Sequence, residues 1–177
     1  MVFKARLMDE AAMERALARI AHQIIENNAD VSKLCLVGIQ RRGVPLAEKI
    51  ADNVRKFSEL QVDVGKLDIT LYRDDLTELS EPTVHGTHMD FDITGQTVVL
   101  VDDVIFTGRT VRAALDALMK QGRPAKVQLA VLVDRGHREL PIRGDYIGKN
   151  IPTSHREIIK VKMPPVDDCM DTCLYGL

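Results

Sequence analysis

The run Val98-Val99-Leu100-Val101-Asp102-Asp103-Val104-Ile105-Phe106-Thr107-Gly108-Arg109-Thr110 decides the fold. Residues 97–101 read as a bare strand, apolar enough to be buried on both faces. Two adjacent carboxylates, Asp102 and Asp103, follow at its carboxyl end, and Thr107, Gly108, Arg109 and Thr110 stand at the entry to a helix over 109–120. Backbone amides at a helix N-terminus form a ready anion site, and Gly108 removes the side chain that would block close approach. Thr107 and Thr110 add hydroxyl donors, and the carboxylates can accept hydrogen bonds from a diol. A helix cap would account for Thr-Gly alone. Two repelling carboxylates at the end of an apolar strand need compensation by a ligand, a cation or donors.

The same pattern continues outward. Residues 34–39 and 126–133 read as further buried strands, and 62–72 as extended. Residues 44–57 repeat apolar positions at helical spacing (Ala47, Ile50, Ala51, Val54). A first helix runs from a cap at Asp9 to about Asn27, with Met13, Leu17, Ile20 and Ile24 on one face. Alternating strands and helices predict a parallel sheet covered by helices, with ligands at the carboxyl ends of the strands. At 177 residues one domain, 1–177, is expected.

Two loops at that end carry chemistry. Gly38-Ile39-Gln40-Arg41-Arg42-Gly43 is a cationic corner flanked by glycines, suited to gripping a pyrophosphate. Residues 73–92 are polar and acidic, with Pro82 and Gly86 and no sustained period, which reads as a functional lid or a solvated loop. His85 and His88 near Asp90 and Asp92 lack any further ligand spacing, so no metal site held by protein ligands alone is expected.

The net charge of −2, with 45% hydrophobic and 28% charged residues, excludes a global field for polyanions. No apolar run approaches the roughly 18–20 residues of a membrane span, and the N-terminus lacks a signal-peptide stretch. Three cysteines fit a cytoplasmic protein; Cys35 reads as a buried small residue, and Cys169 and Cys173 lie in a tail of no evident role.

The segment 98–110 resembles, along its whole length, the signature with which type I phosphoribosyltransferases bind 5-phosphoribosyl-1-pyrophosphate (PRPP). The resemblance implies an α/β fold with a central, mainly parallel sheet flanked by helices, a small hood built from segments near both ends, and a flexible lid loop at about 73–92. It implies that Asp102 and Asp103 hold the ribose hydroxyls, that Val104, Ile105 and Phe106 belong to the PRPP-binding segment, and that Thr107, Gly108, Arg109 and Thr110 hold the 5-phosphate. The resemblance also implies that the corner at 38–43 is the pyrophosphate loop, with Arg42 the firmer ligand and Arg41 beside it. Arg73, in the lid, would reach the leaving pyrophosphate, and Mg²⁺ would arrive with PRPP.

Taken with DITLYRDDLT (68–77) and VDRGHRELPIRGDYIGKNIPTS (133–154), the pattern looks like the bacterial family of bifunctional pyrimidine operon attenuation regulators and uracil phosphoribosyltransferases. The resemblance runs from Leu7 to about Lys162. It implies conversion of uracil and PRPP to UMP and diphosphate, UMP-dependent binding to pyrimidine operon leader mRNA with transcription attenuation, and a homodimer or higher oligomer. The base is expected beside Val133, Asp134, Arg135, His137 and Arg138. RNA is expected on Arg15, Arg19 and His22 of the first helix, with Arg138 and Arg143. The alternative is a UMP-sensing RNA-binding regulator with vestigial catalysis.

Overall fold

The computed structural model describes residues 1–72 and 86–177. The expected lid therefore lies largely outside the described residues, with Arg73 and His85 in that part.

Five strands form one parallel sheet in the order β3 (Asp63–Leu67), β2 (Leu34–Ile39), β4 (Thr97–Ile105), β5 (Lys126–Asp134) and β6 (Tyr146–Asn150). The helices α1 (Glu10–Asn27) and α2 (Gly43–Ser58) cover one face and α3 (Arg109–Leu118) the other. The central strands divide their side chains between two cores. Val99 and Val101 of β4 pack with the α1 and α2 residues, while Val98 and Leu100 pack with those of α3. Such burial contributes roughly 1.5–3 kcal/mol for each large apolar side chain. It explains why these strands read as continuous apolar runs rather than as alternation.

α1 begins as expected: the Asp9 carboxylate accepts from the Ala12 amide at 2.8 Å. It ends on a buried polar knot. Asn28 Nδ2 donates to the Ile24 carbonyl (2.8 Å), to Gln128 Oε1 (3.1 Å) and to the Tyr146 hydroxyl (3.2 Å), fastening the helix end to β5 and β6. All three side chains are buried. Asn28→Ala leaves Gln128 and Tyr146 without this partner, and the expected cost is about 1–3 kcal/mol. Urea denaturation monitored by circular dichroism checks it; an unchanged midpoint would show that the knot adds nothing.

Two elements differ from expectation. β4 runs through Ile105 rather than stopping at Val101, because β5 pairs with it as far as Ile105↔Asp134. β2 leaves it at Gly38↔Val101, so Asp102 and Asp103 overhang β2 within a strand held from one side. After β3, residues 70–72 form a short 3-10 turn instead of extended chain. The buried Asp68 carboxylate bends the chain there by accepting from the Thr70 amide at 2.8 Å.

A second, antiparallel sheet of three strands takes up both ends of the chain: β1 (Val2–Met8), β8 (Asp171–Gly176) and β7 (Glu157–Lys162), in that order. The tail with Cys169 and Cys173 thus supplies the middle strand. Both thiols are free. Cys35 is buried as expected, and burial pushes its thiol up to about 12. Among the described residues, no helix is long and apolar enough to cross a membrane.

Candidate active site

At the carboxyl ends of the parallel strands, the overhang of β4 separates two cavities. The first, of about 400 Å³, is lined by Val104, Ile105, Phe106, Thr107, Gly108, Arg109, Thr110 and Val111, with Glu139 on its rim. Gly108 precedes α3 with φ at 95°, a left-handed conformation that favours glycine, and no side chain caps the helix. The Arg109 amide donates to Thr107 Oγ1 at 3.4 Å, and the positive end of the helix favours an anion in the cavity. The loop is braced from outside: Glu139 and Leu140 amides donate to the Thr107 carbonyl at 2.9 and 3.2 Å. Arg109 Nε donates to the Glu139 carboxylate at 2.8 Å.

The second cavity, of about 370 Å³, is lined by Arg42, Asp103, Asp167 and the β7 residues Ile159, Lys160, Val161 and Lys162. Asp102 accepts from the Asp103 amide (2.9 Å), and Asp103 from the Val104 amide (2.7 Å), so each carboxylate is oriented by the residue after it. Burial pushes the Asp103 carboxyl above the usual carboxylate range, against the pull of the Val104 amide and the Arg42 charge.

The corner at 38–43 lies against this strand with no spare room. A Cβ on Gly43 would fall 2.2 Å from the Val101 carbonyl oxygen, and one on Gly38 2.5 Å from Val44 Cα. Gln40 Nε2 donates to the Gly86 carbonyl at 2.8 Å. Arg41 is exposed, whereas Arg42 turns toward the second cavity and meets Asp167 with a two-pronged contact, Nε to Oδ2 at 2.9 Å and Nη2 to Oδ1 at 2.8 Å. That hydrogen bonding raises the arginine's pKa and lowers the aspartate's.

The residues expected beside the base are engaged differently. Val133 is buried within β5. Arg135 donates to Thr153 Oγ1 (3.0 Å) and to the Ser154 and Glu157 carbonyls, with its guanidinium 4.0 Å above the Phe106 ring. Arg138 pairs with Asp134 and donates to the Phe106 carbonyl (2.7 Å). His137 contacts the Thr153 carbonyl and the His155 ring. Arg135 and Arg138 thus brace the loop after β4, and β7 walls the second cavity. No motif marks β7 or Asp167. The one available signal is the alternation in Glu157–Lys162, where Ile159 and Val161 are buried.

Arg15, Arg19 and His22 do share the exposed side of α1. Arg19 donates to the Gly148 carbonyl of β6, and His22 stacks on Phe57 of α2 with ring centroids 3.8 Å apart and planes 13° apart. Phe57 escaped notice because it sits on another helix. Arg143 is exposed; Arg138 is withdrawn into the loop described above.

A family model described as "Phosphoribosyl transferase domain" matches residues 5–165. A "Bifunctional protein PyrR" of Acetivibrio thermocellus is 62% identical over 168 residues, covering 94% of this chain and 91% of that protein. Proteins of the same name from Clostridioides difficile (59%; 94% and 95% covered) and Thermus thermophilus (60%; 94% and 93%) are similarly close. Among solved structures, a hypoxanthine-guanine phosphoribosyltransferase of Bacillus anthracis superposes with a TM-score of 0.75 at 17% identity, covering 98% of this chain and 99% of that one. A hypoxanthine phosphoribosyltransferase of Trypanosoma cruzi gives 0.76 at 18%, covering 97% and 95%. The last two are likenesses of fold.

Proposed function

We propose, from the premise that this chain belongs to the phosphoribosyl transferase family and to its bifunctional PyrR branch, that it transfers the ribose 5-phosphate of PRPP to N1 of uracil and binds pyrimidine operon leader RNA when UMP fills the site. The observation that carries the catalytic reading is the Asp102–Asp103 overhang between two cavities. One cavity has helix amides and hydroxyls for a 5-phosphate. The other has Arg42 for a pyrophosphate and a strand edge for a base.

In this reading the carboxylates hold the ribose hydroxyls, and the Thr107–Thr110 loop holds the phosphate. Much of the acceleration then comes from positioning. The bond from the anomeric carbon to pyrophosphate breaks as Arg42 neutralises the leaving oxygens. Uracil lies along β7. Among the described residues that strand pairs with β8 alone, so its other edge offers alternating N–H and C=O groups to the O2, N3–H and O4 edge of the base. We assign the base to this edge rather than to 133–138. Among the described residues no three carboxylate, imidazole or thiolate groups gather to hold a metal ion. The hard oxygens of Asp102 and Asp103 suit an Mg²⁺ ion carried in by PRPP, which would add to the neutralisation of pyrophosphate.

Uracil-dependent pyrophosphate release from PRPP and Mg²⁺, run beside hypoxanthine, guanine and orotate, tests the reading. Turnover with uracil alone is expected. Turnover of a purine would overturn the base assignment. A folded, PRPP-binding protein without turnover would favour the RNA regulator with vestigial catalysis.

For RNA we assign Arg15, Arg19, His22 and Arg143 as donors on the surface of a cytoplasmic homo-oligomer, with the His22–Phe57 pair beside them. Arg15→Ala is expected to weaken leader binding about tenfold and to reduce the salt dependence by about one released counterion. Filter binding over a salt series with UMP present measures both. An unchanged slope would remove Arg15 from the interface.

A further inference from the structure

We infer that Asp167, outside every recognised motif, is a positioning residue for the pyrophosphate arginine; this rests on the phosphoribosyl-transfer reading above. After β7 the chain closes a tight turn, in which the Asp167 amide donates to the Met163 carbonyl and the Met163 amide donates to Asp167 Oδ2, both at 2.9 Å. The carboxylate is thereby oriented from its own backbone before it meets anything else. It then takes one edge of the Arg42 guanidinium through Nε and Nη2.

A guanidinium has five N–H groups in a rigid plane. The clasp with Asp167 uses two. Among the described residues no partner is seen for Nη1 or for the second hydrogen of Nη2, and the side chain borders the cavity that Asp103 also lines. A free arginine at that place would have to surrender much rotamer entropy whenever an anion arrived. One already clasped along its other edge does not. The clasp also joins the hood to the pyrophosphate loop, so the wall of the second cavity and the cation beside it are set by one contact.

The opposite role, a carboxylate that occupies the arginine in place of pyrophosphate, predicts the opposite sign: removing the charge would tighten PRPP binding. The side-on geometry favours the buttress, because it leaves the rest of the fork unspent.

Steady-state kinetics of Asp167→Asn, Asp167→Glu, Arg42→Ala and the double variant Arg42→Ala/Asp167→Asn decide the matter. In Asp167→Asn the KM for PRPP is expected to rise about tenfold, with kcat at saturating PRPP changed by less than about twofold. Asp167→Glu should recover part of the loss. The double variant should be no worse than Arg42→Ala, since the aspartate acts through the arginine. An unchanged or lowered KM, additive losses, or a fall in kcat that tracks thermal stability would each overturn the inference. A wild-type protein that releases no pyrophosphate from PRPP would instead overturn the functional reading and the inference with it.

Discussion

Asp103→Asn is expected to lower kcat by about 10²–10³-fold while leaving the protein folded, and at neutral pH no less stable than the wild type. Asparagine keeps the shape of aspartate and an oxygen to accept the Val104 amide, so the local strand is preserved. What it removes is the charge beside Arg42 that, in the proposed reading, faces the ribose. Because burial raises the Asp103 pKa in the folded state, ionising it works against folding. Stability falls as pH rises from the unfolded-state pKa to the folded one, and the penalty persists above that window. Below the window the carboxyl is neutral in both states and the penalty disappears. The variant escapes it at neutral pH. For the same reason, wild-type kcat/KM should decline on the acid side as Asp103 takes up its proton, and the variant should lack that limb. Turnover against pH, with thermal denaturation of both proteins at neutral pH, measures all three. Equal losses of rate and stability would mean that Asp103 supports the fold rather than the reaction.

Gly43→Ala is expected to cost at least about 100-fold in turnover together with about 3 kcal/mol of stability. Its new methyl would sit 2.2 Å from the Val101 carbonyl oxygen and 3.2 Å from the carbonyl carbon, and neither is the tip of a flexible side chain. Relief requires α2 and its preceding loop to back away from β4, or β4 to shift just before Asp102. Either movement separates Arg42 from the carboxylates. Gly95→Ala is the matched control. Gly95 has the positive φ that Gly43 lacks, 75°, but no atom lies within 4 Å of its Cβ position. It should lose only about 1–2 kcal/mol from backbone strain, with turnover kept. Urea denaturation and turnover of the two variants separate crowding from strain; equal effects would sink the packing argument.

The contrast between these sites and Asp167 explains what was legible in the sequence. The elements α1, β2, α2, β4 and β5 announce themselves because each is buried along a stripe or on both faces, and the hydrophobic pattern records that directly. The 98–110 segment is readable because strand, carboxylates, loop and helix entry are contiguous. β1, β6 and β7 are only partly buried and interrupt their apolar residues with lysines or an arginine, while β8 mixes Asp171 and Thr172 with apolar residues, and this blurs the alternation. The Arg42–Asp167 clasp joins residues 125 apart and leaves no local trace. Arg135 and Arg138 read in the sequence as ligand donors, because an arginine in a turn reads alike whether its guanidinium faces a substrate or, as here, the carbonyls of distant segments at Glu157 and Phe106. Only the fold distinguishes those cases.

The small sheet has a consequence for how the molecule is made. Its first strand, β1, pairs with β8, so Val2 meets Gly176 and Met8 meets Thr172. During synthesis β1 leaves the ribosome before the other strands among the described residues and waits for β8, which is translated after all of them. The parallel sheet with α1, α2 and α3 is complete well before that, since β6 ends at Asn150. A nascent chain therefore acquires the loop at 106–110 first, while β1 remains an open strand edge carrying Val2 and Phe3, a surface for chaperones or for misplaced pairing. Joining segments so distant carries a loop-closure cost, which makes the pairing a late step in refolding as well. In the proposed reading, the strand that walls the base thus gains its β8 partner after the loop that takes the phosphate has formed, in the order in which the chain is born.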